Sequence, residues 1–155
     1  MTLRRATSAD VGRVTELVND AYGHYVARIG GPPRPMTDDY ADVVSRLDVT
    51  VAERDGRIVG LVVLDPRDDD GFCVDNVAAD PAHQGGGVGR ALLEHAEAAA
   101  RDAGSDAIVL YTHERMTENR ALYARIGYVE YDRRHYGNGV VVRLRKELGP
   151  AADPT

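Results

Sequence analysis

Cysteine, lysine and long apolar runs are scarce in this 155-residue chain. With one cysteine, Cys73, no internal disulfide can form, which fits a reducing, cytoplasmic compartment. The longest apolar run, Ile58-Val59-Gly60-Leu61-Val62-Val63-Leu64, falls far short of the roughly 20 residues that span a bilayer. Polar residues follow Arg4 and Arg5 where a secretory signal would be apolar, so no signal peptide and no membrane partner are expected. Positive charge is in deficit, with 19 basic residues against 25 acidic ones and a net charge of −6. A nucleic-acid partner is therefore disfavoured, whereas a cationic substrate is compatible. All the basic residues but Lys146 are arginine, which reflects coding bias, since no arginine cluster accompanies it. Internal repeats are absent. The five histidines, His24, His83, His95, His113 and His135, show no metal-ligand spacing with carboxylates or Cys73, so no metal is expected.

What is present suits one globular domain over residues 1–148, with 149–155 as a frayed tail. Apolar residues make up 43%, enough for a real core. Leu3-Arg4-Arg5-Ala6 reads as a short strand. Thr7, with Asp10 three residues on, opens a helix that runs from about Ala9 into the twenties and ends at Gly30-Gly31-Pro32-Pro33-Arg34-Pro35. Thr37 is the expected cap of a second helix. Strands over 49–53, 57–64 and 72–79 follow, the first two joined by the hairpin signal Asp55-Gly56. A helix with Val88, Leu92, Ala96, Ala99 and Ala103 on one face stops at Gly104. A strand over 107–111, a short helix over 117–126 and a hairpin around Gly137-Asn138-Gly139 close the chain. This order predicts an α/β fold with one mixed sheet of six to seven strands and helices on both faces.

The most informative segment is Val77-Ala78-Ala79-Asp80-Pro81-Ala82-His83-Gln84-Gly85-Gly86-Gly87-Val88-Gly89-Arg90. A strand enters a glycine-dense turn that opens directly into a helix. Such a turn lets backbone N–H groups curl inward, and the helix start adds unpaired donors and the positive dipole end. The result is an anion cradle made of main chain. Neither the dinucleotide pattern G-x-G-x-x-G nor the P-loop pattern fits the spacing. From the residues alone, a purely structural strand-to-helix turn stays open.

Gln84-x-x-Gly87-x-Gly89 resembles the Q/R-x-x-G-x-G/A signature of the GCN5-related N-acetyltransferase (GNAT) family. Asn119-Arg120-Ala121-Leu122-Tyr123-Ala124-Arg125-Ile126-Gly127-Tyr128 is similar to that family's N-x-A-L-Y-x-x-x-G-F/Y segment. The order of elements also resembles the family's over nearly the whole chain. The resemblance implies acetyl-CoA as cosubstrate. Backbone groups of Val77 and Ala79 would pair with the pantetheine arm. Gln84, Gly85, Gly86, Gly87, Val88, Gly89 and Arg90 would hold the pyrophosphate, with Asn119 near the cofactor and Tyr123 near its sulfur. Two departures stand out. Gly86 occupies a position where the family often has Lys or Arg, and Asn119 lies four residues before Tyr123 where many members place it seven before.

Acetyl transfer to an amine needs a neutral nucleophile, a polarised carbonyl and a leaving thiolate. Deprotonating an alkylammonium at pH 7 costs roughly 4 kcal/mol. Asp75, on the strand entering the cradle, is the candidate general base; polyamine-acetylating relatives carry a glutamate at the matching place. Tyr123 is the candidate general acid. A structural carboxylate and a core aromatic remain the alternatives for these two. Tyr22, Tyr25, Arg28, Arg34, Met36, Tyr111, His113, Glu114 and His135 are the candidates for the acceptor side. The expected activity is N-acetylation of a primary amine of a small molecule or a protein N-terminus. A non-catalytic CoA-binding module and a hydroxyl acceptor are the competing readings, and a homodimer is compatible with the family's edge strands.

Overall fold

A computed structural model describes residues 1–137 and 139–149. Asn138 of the expected turn and residues 150–155 of the expected tail lie outside the described residues. Seven strands form one sheet: β1 (Thr2–Arg5), β2 (Asp48–Arg54), β3 (Arg57–Asp68), β4 (Gly71–Ala79), β5 (Ala107–His113), β6 (Val129–Tyr136) and β7 (Gly139–Glu147), in the order β1-β2-β3-β4-β5-β7-β6. Every neighbouring pair is antiparallel except β4 and β5. These two are parallel and joined by a crossover helix. Several strands outrun the apolar runs that announce them. β3 continues to Asp68 because it stays paired with β4 down to Asp68↔Gly71, although its last residues are polar.

The helices are α1 (Val11–Tyr22), α2 (Tyr25–Ile29), α3 (Tyr40–Arg46), α4 (Val88–Asp102) and α5 (Thr117–Arg125). The single first helix expected from periodicity is two. Val26 N–H bonds back to Gly23 C=O at 3.2 Å, a tightened turn that separates α1 from α2. Glycine costs about 1 kcal/mol in a helix interior, so Gly23 is a natural place for the break. The cap of α3 is Asp39, whose carboxylate accepts from Ala41 N–H at 3.0 Å. The expected cap, Thr37, instead donates its hydroxyl to Arg34 C=O at 2.7 Å, closing the short 3₁₀ turn Arg34–Thr37.

The sheet has a core on each face. On one side Val59, Val62, Val74 and Leu110 pack against Leu92, Leu93 and Ala96 of α4. On the other, Val51, Leu61 and Val63 pack against Val14, Leu17 and Val18 of α1. The buried stripe of α4 is Val88, Leu92, Leu93, Ala96, Glu97 and Ala100; Ala103 is exposed. Ala103 is the C-cap, one residue past the end of the helix at Asp102, where the chain leaves the packed face. Glu97 is buried because the Lys146 ammonium meets it at 2.5 Å. At Gly60 a Cβ would lie 2.6 Å from Val88 Cγ1 and 2.9 Å from Leu92 Cδ1. That glycine lets α4 settle directly on β3, which fixes where the N-terminus of α4 points.

Candidate active site

The parallel ladder between β4 and β5 pairs only Cys73↔Val109 and Val74↔Leu110. Beyond Val74 the two strands part, and β4 runs on to Ala79 bonded on its β3 side alone. Asp80 N–H donates to Val59 C=O of β3 at 2.8 Å. Backbone groups alternate sides along a strand, so Ala78 also faces β3 whereas Val77 and Ala79 face the gap. Two side chains reach those carbonyls. The Tyr22 hydroxyl lies 2.9 Å from Val77 C=O, and the Gln84 side-chain amide lies 3.5 Å from Ala79 C=O.

Two cavities open along the gap, one of about 520 Å³ and one of about 540 Å³. Val77, Asn119, Tyr123 and Tyr22 border both. The first cavity runs toward the glycine turn. Of the ten expected cofactor residues, nine line it: Val77, Ala79, Gln84, Gly85, Gly87, Val88, Gly89, Arg90 and Asn119. Gly85 and Gly87 sit at φ +86° and +82°, a backbone region that side chains other than glycine's rarely adopt. Gly87 caps α4, whose first intrahelical bond is Ala91 N–H to Gly87 C=O at 3.0 Å. The N–H groups of Val88, Gly89 and Arg90 precede that bond and have no partner within the helix. They stand as main-chain donors at the positive end of a 15-residue helix, an arrangement that suits an anion.

Gly86 is the tenth, and it lines neither cavity. Its N–H donates to His83 C=O at 3.2 Å, and a Cβ there would stand 3.3 Å from Arg54 Nη1. The Arg54 guanidinium, from the end of β2, thus stands beside Gly86.

Asn119 and Tyr123 lie one turn apart on α5 and share one face, so the four-residue spacing still brings both to the junction. Tyr123 is buried and meets Tyr128 edge-on at 6.0 Å between ring centroids. Burial is the sole cause pushing its phenol above the ordinary range, and no carboxylate or guanidinium contributes.

The second cavity holds Asp75. Burial pushes its carboxyl above the usual carboxylate range, with Asp38 and Asp65 adding to the rise and Arg34 opposing it. Arg34 Nη2 donates to Asp75 C=O at 2.5 Å, and its Nη1 lies 3.3 Å from Asp75 Oδ2 and 2.5 Å from Asp38 Oδ2. Beside Asp75, a buried relay fixes the wall. The Tyr22 hydroxyl donates to Asn76 Oδ1 at 2.6 Å, Asn76 Nδ2 donates to the Tyr40 hydroxyl at 3.1 Å, and Tyr40 donates to Pro35 C=O at 2.6 Å. This chain ties α1, β4, α3 and the proline loop together. Among the expected acceptor-side residues, Tyr22, Arg34, Tyr111 and His113 line this cavity. Tyr25 and Arg28 line the first, and Met36, Glu114 and His135 line neither. Asn76, Tyr136 and Arg143 were not among the sequence candidates, yet they line it. The signal for Arg143 is its place in Val140-Val141-Val142-Arg143-Leu144, a charge inside an apolar strand.

Comparison with known proteins fixes the family. The acetyltransferase (GNAT) domain model matches residues 45–130, more than half of the chain. The chain belongs to the GNAT acetyltransferase family. Among curated relatives, the L-methionine sulfoximine/L-methionine sulfone acetyltransferase of Salmonella typhimurium is 31% identical over 137 residues, covering 83% of this chain and 80% of the relative. The PaiA N-acetyltransferase of Thermoplasma acidophilum, solved in complex with coenzyme A, shares the fold with a TM-score of 0.79 at 16% identity, over 94% of this chain and 98% of that one. The ribosomal-protein-S18-alanine N-acetyltransferase of Escherichia coli superposes with a TM-score of 0.75 at 20% identity, over 99% and 97% of the two chains. This GNAT protein is therefore an acetyl-CoA-dependent acetyltransferase. No helix among its described residues is long and apolar enough to cross a membrane.

Proposed function

We propose that this acetyltransferase moves the acetyl group of acetyl-CoA directly to a primary amine, with the cofactor in the first cavity and the acceptor in the second. The observation that carries this reading is the junction: Tyr123 and the gap-facing backbone of Val77 border both cavities. A pantetheine arm laid along the gap adds to the unpaired edge of β4 as a strand would, and its pyrophosphate meets the orphan donors at the start of α4. The sulfur then ends beside Tyr123.

The chemistry balances without a further reactant. Asp75 takes one proton from the acceptor ammonium, directly or through a water. The amine nitrogen attacks the thioester carbon, forming the C–N bond while the C–S bond breaks, and the nitrogen gives its second proton to solvent water as the neutral amide forms. Tyr123 donates a hydrogen bond, and then a proton, to the departing sulfur and regains its proton from solvent. Burial raises its pKa and so favours the neutral phenol, the form that can donate. The raised pKa of Asp75 brings a carboxylate closer to the operating pH, which strengthens it as a base. The Salmonella relative, whose name gives two small amines as substrates, supports a small-molecule acceptor over a protein N-terminus.

The test is an amine panel with acetyl-CoA, reading free CoA with a thiol reagent and product by mass. An N-acetylated amine in equal amount to released CoA is the expected result. CoA binding without release from any acceptor supports the non-catalytic module instead. A product cleaved by hydroxylamine marks a hydroxyl acceptor.

A further inference from the structure

One row of the sheet crosses the floor of the second cavity. Val74 of β4 pairs with Leu110 of β5, so the next residues, Asp75 and Tyr111, stand at the same level as the strands begin to part. Tyr111 pairs directly with Arg143 of β7. Residues side by side on neighbouring strands project to the same face. All three line the cavity: a carboxylate at one end, a phenol ring in the middle, a guanidinium at the other end. Strand spacing puts the two charged residues about 10 Å apart at the backbone.

Arg143 is mounted with care. It is 8% exposed, and its guanidinium lies over the Tyr111 ring at 4.6 Å from the centroid. Its Nη1 donates to Asp70, which also accepts from the Tyr131 hydroxyl, while the Tyr111 hydroxyl donates to Asp68. The acidic turn between β3 and β4 thus holds both the ring and the guanidinium. Arg143 Nε remains buried with no hydrogen-bond partner. A buried N–H left unpaired is a standing cost, and an arginine kept only for the fold would have its donors matched. Arg143 Nε has the Asp132 carboxylate at 4.0 Å, beyond hydrogen-bond reach, so Arg143 hydrogen-bonds one carboxylate, Asp70, whereas Arg34, the other cavity cation, hydrogen-bonds two, Asp38 and Asp75.

We propose that Arg143 binds an acidic group of the acceptor, so that the substrate is an amino acid or a similar amine carrying a carboxylate, with its amine at Asp75 and its acid at Arg143. The proposal rests on the acceptor occupying the second cavity, as argued above. A planar guanidinium in a desolvated wall suits a carboxylate, which takes paired N–H donors. The orientation follows from position. Asp75 is on β4 near the Tyr123 junction, whereas Arg143 lies two strands away, so the amine and not the acid faces the thioester.

The experiment uses matched pairs: each common L-amino acid and its carboxamide, which keeps the amine and side chain and removes the negative charge. Two readouts are taken on the wild-type protein. The first is kcat/KM with acetyl-CoA. The second is calorimetric binding to the protein already saturated with CoA, which needs no turnover. The expected result is an acid that binds and is acetylated about 10²-fold better than its amide, because an unfilled guanidinium site rejects the neutral analogue. The amide has the less basic amine, so intrinsic reactivity at neutral pH runs the other way. In Arg143→Gln the acid-to-amide ratio falls to a few-fold, and Arg143→Lys restores part of it. Acids that bind selectively but are never acetylated support the Arg143 site and count against the transfer reading. Amides bound as tightly as acids, or neither bound to the CoA complex, overturn the proposal. The wild-type ratio decides even if a variant at Arg143 does not fold.

Discussion

The two cavities are nearly equal in size, about 520 and 540 Å³, but they are built from different parts of the chain chemistry. The half proposed for the cofactor presents main chain: the edge of β4 not paired with a strand and the N–H groups of a helix start. The half proposed for the acceptor presents side chains drawn from four places, with Arg34 from a loop, Asp75 from β4, Tyr111 from β5 and Arg143 from β7. Main-chain groups are identical in every residue and are positioned by local conformation. Side chains differ, and here they are brought together by strand pairing. The comparison implies one half that is rigid and general, and one half that evolution can rewrite residue by residue.

The strongest way to break this contrast is a charge in the main-chain half. Gly89→Glu adds a carboxylate where the nearest side-chain atom to a Cβ is Leu122 Cδ2 at 3.8 Å, so the fold has room for it. CoA affinity should fall by more than about 10²-fold while thermal melting stays near wild type. A measured affinity close to wild type would show that the phosphates lie elsewhere. Next in size is the junction. Tyr123→Phe keeps the ring packed on Tyr128 and should lower kcat by roughly 10²-fold with CoA affinity unchanged. Full-rate turnover by that variant would leave Tyr123 a packing residue.

Smaller effects belong to the side-chain half. Asp75→Asn should reduce kcat/KM by about 10-fold or more at pH 7 and recover partly at high pH, where more of the amine is already neutral. Arg34→Gln sharpens the point, because Arg34 pulls the Asp75 carboxyl down against burial, Asp38 and Asp65. A base works only when deprotonated. Removing Arg34 should therefore move the acid limb of the kcat/KM profile to higher pH. A limb that stays in place would separate Asp75 from the chemistry.

The smallest effect is a control outside both halves. Arg4 and Thr7 hold the Asp10 carboxyl down to about 2. A lowered folded pKa contributes stability above the ordinary carboxylate range, and that contribution is lost as pH falls through the folded value. Asp10→Asn should thus lower the melting temperature at pH 7, with the deficit closing between about pH 4 and 2. Turnover at 25 °C should not change.

The same contrast explains what was legible beforehand. The proposed cofactor half is local in sequence: a strand, four glycines and a helix start lie within Val77 to Arg90, and spacing alone locates them. Gly86 shows the limit. Nothing in the run of glycines says that this one turns toward His83 and Arg54. The mixed sheet and its helices were readable from period and turn residues. The break at Gly23 and the cap at Asp39 were not, because several residues there suit each role and packing chooses among them. The acceptor half is long-range. Arg143 meets Asp70 across 73 positions and Asn76 meets Tyr22 across 54, pairings set by sheet register and helix docking. In the sequence the Asp68-Asp69-Asp70 run is only a row of carboxylates, and only the fold shows it holding Tyr111 and Arg143.

The claim that the cleft divides into a main-chain cofactor half and a side-chain acceptor half is tested most directly by titrating CoA, by calorimetry, into folded Asp75→Asn and Arg34→Gln. The account predicts CoA affinities within about two-fold of wild type for both, with the loss confined to acceptor turnover. A ten-fold or larger loss of CoA affinity in either variant would place the cofactor among the side chains of the second cavity and contradict the division.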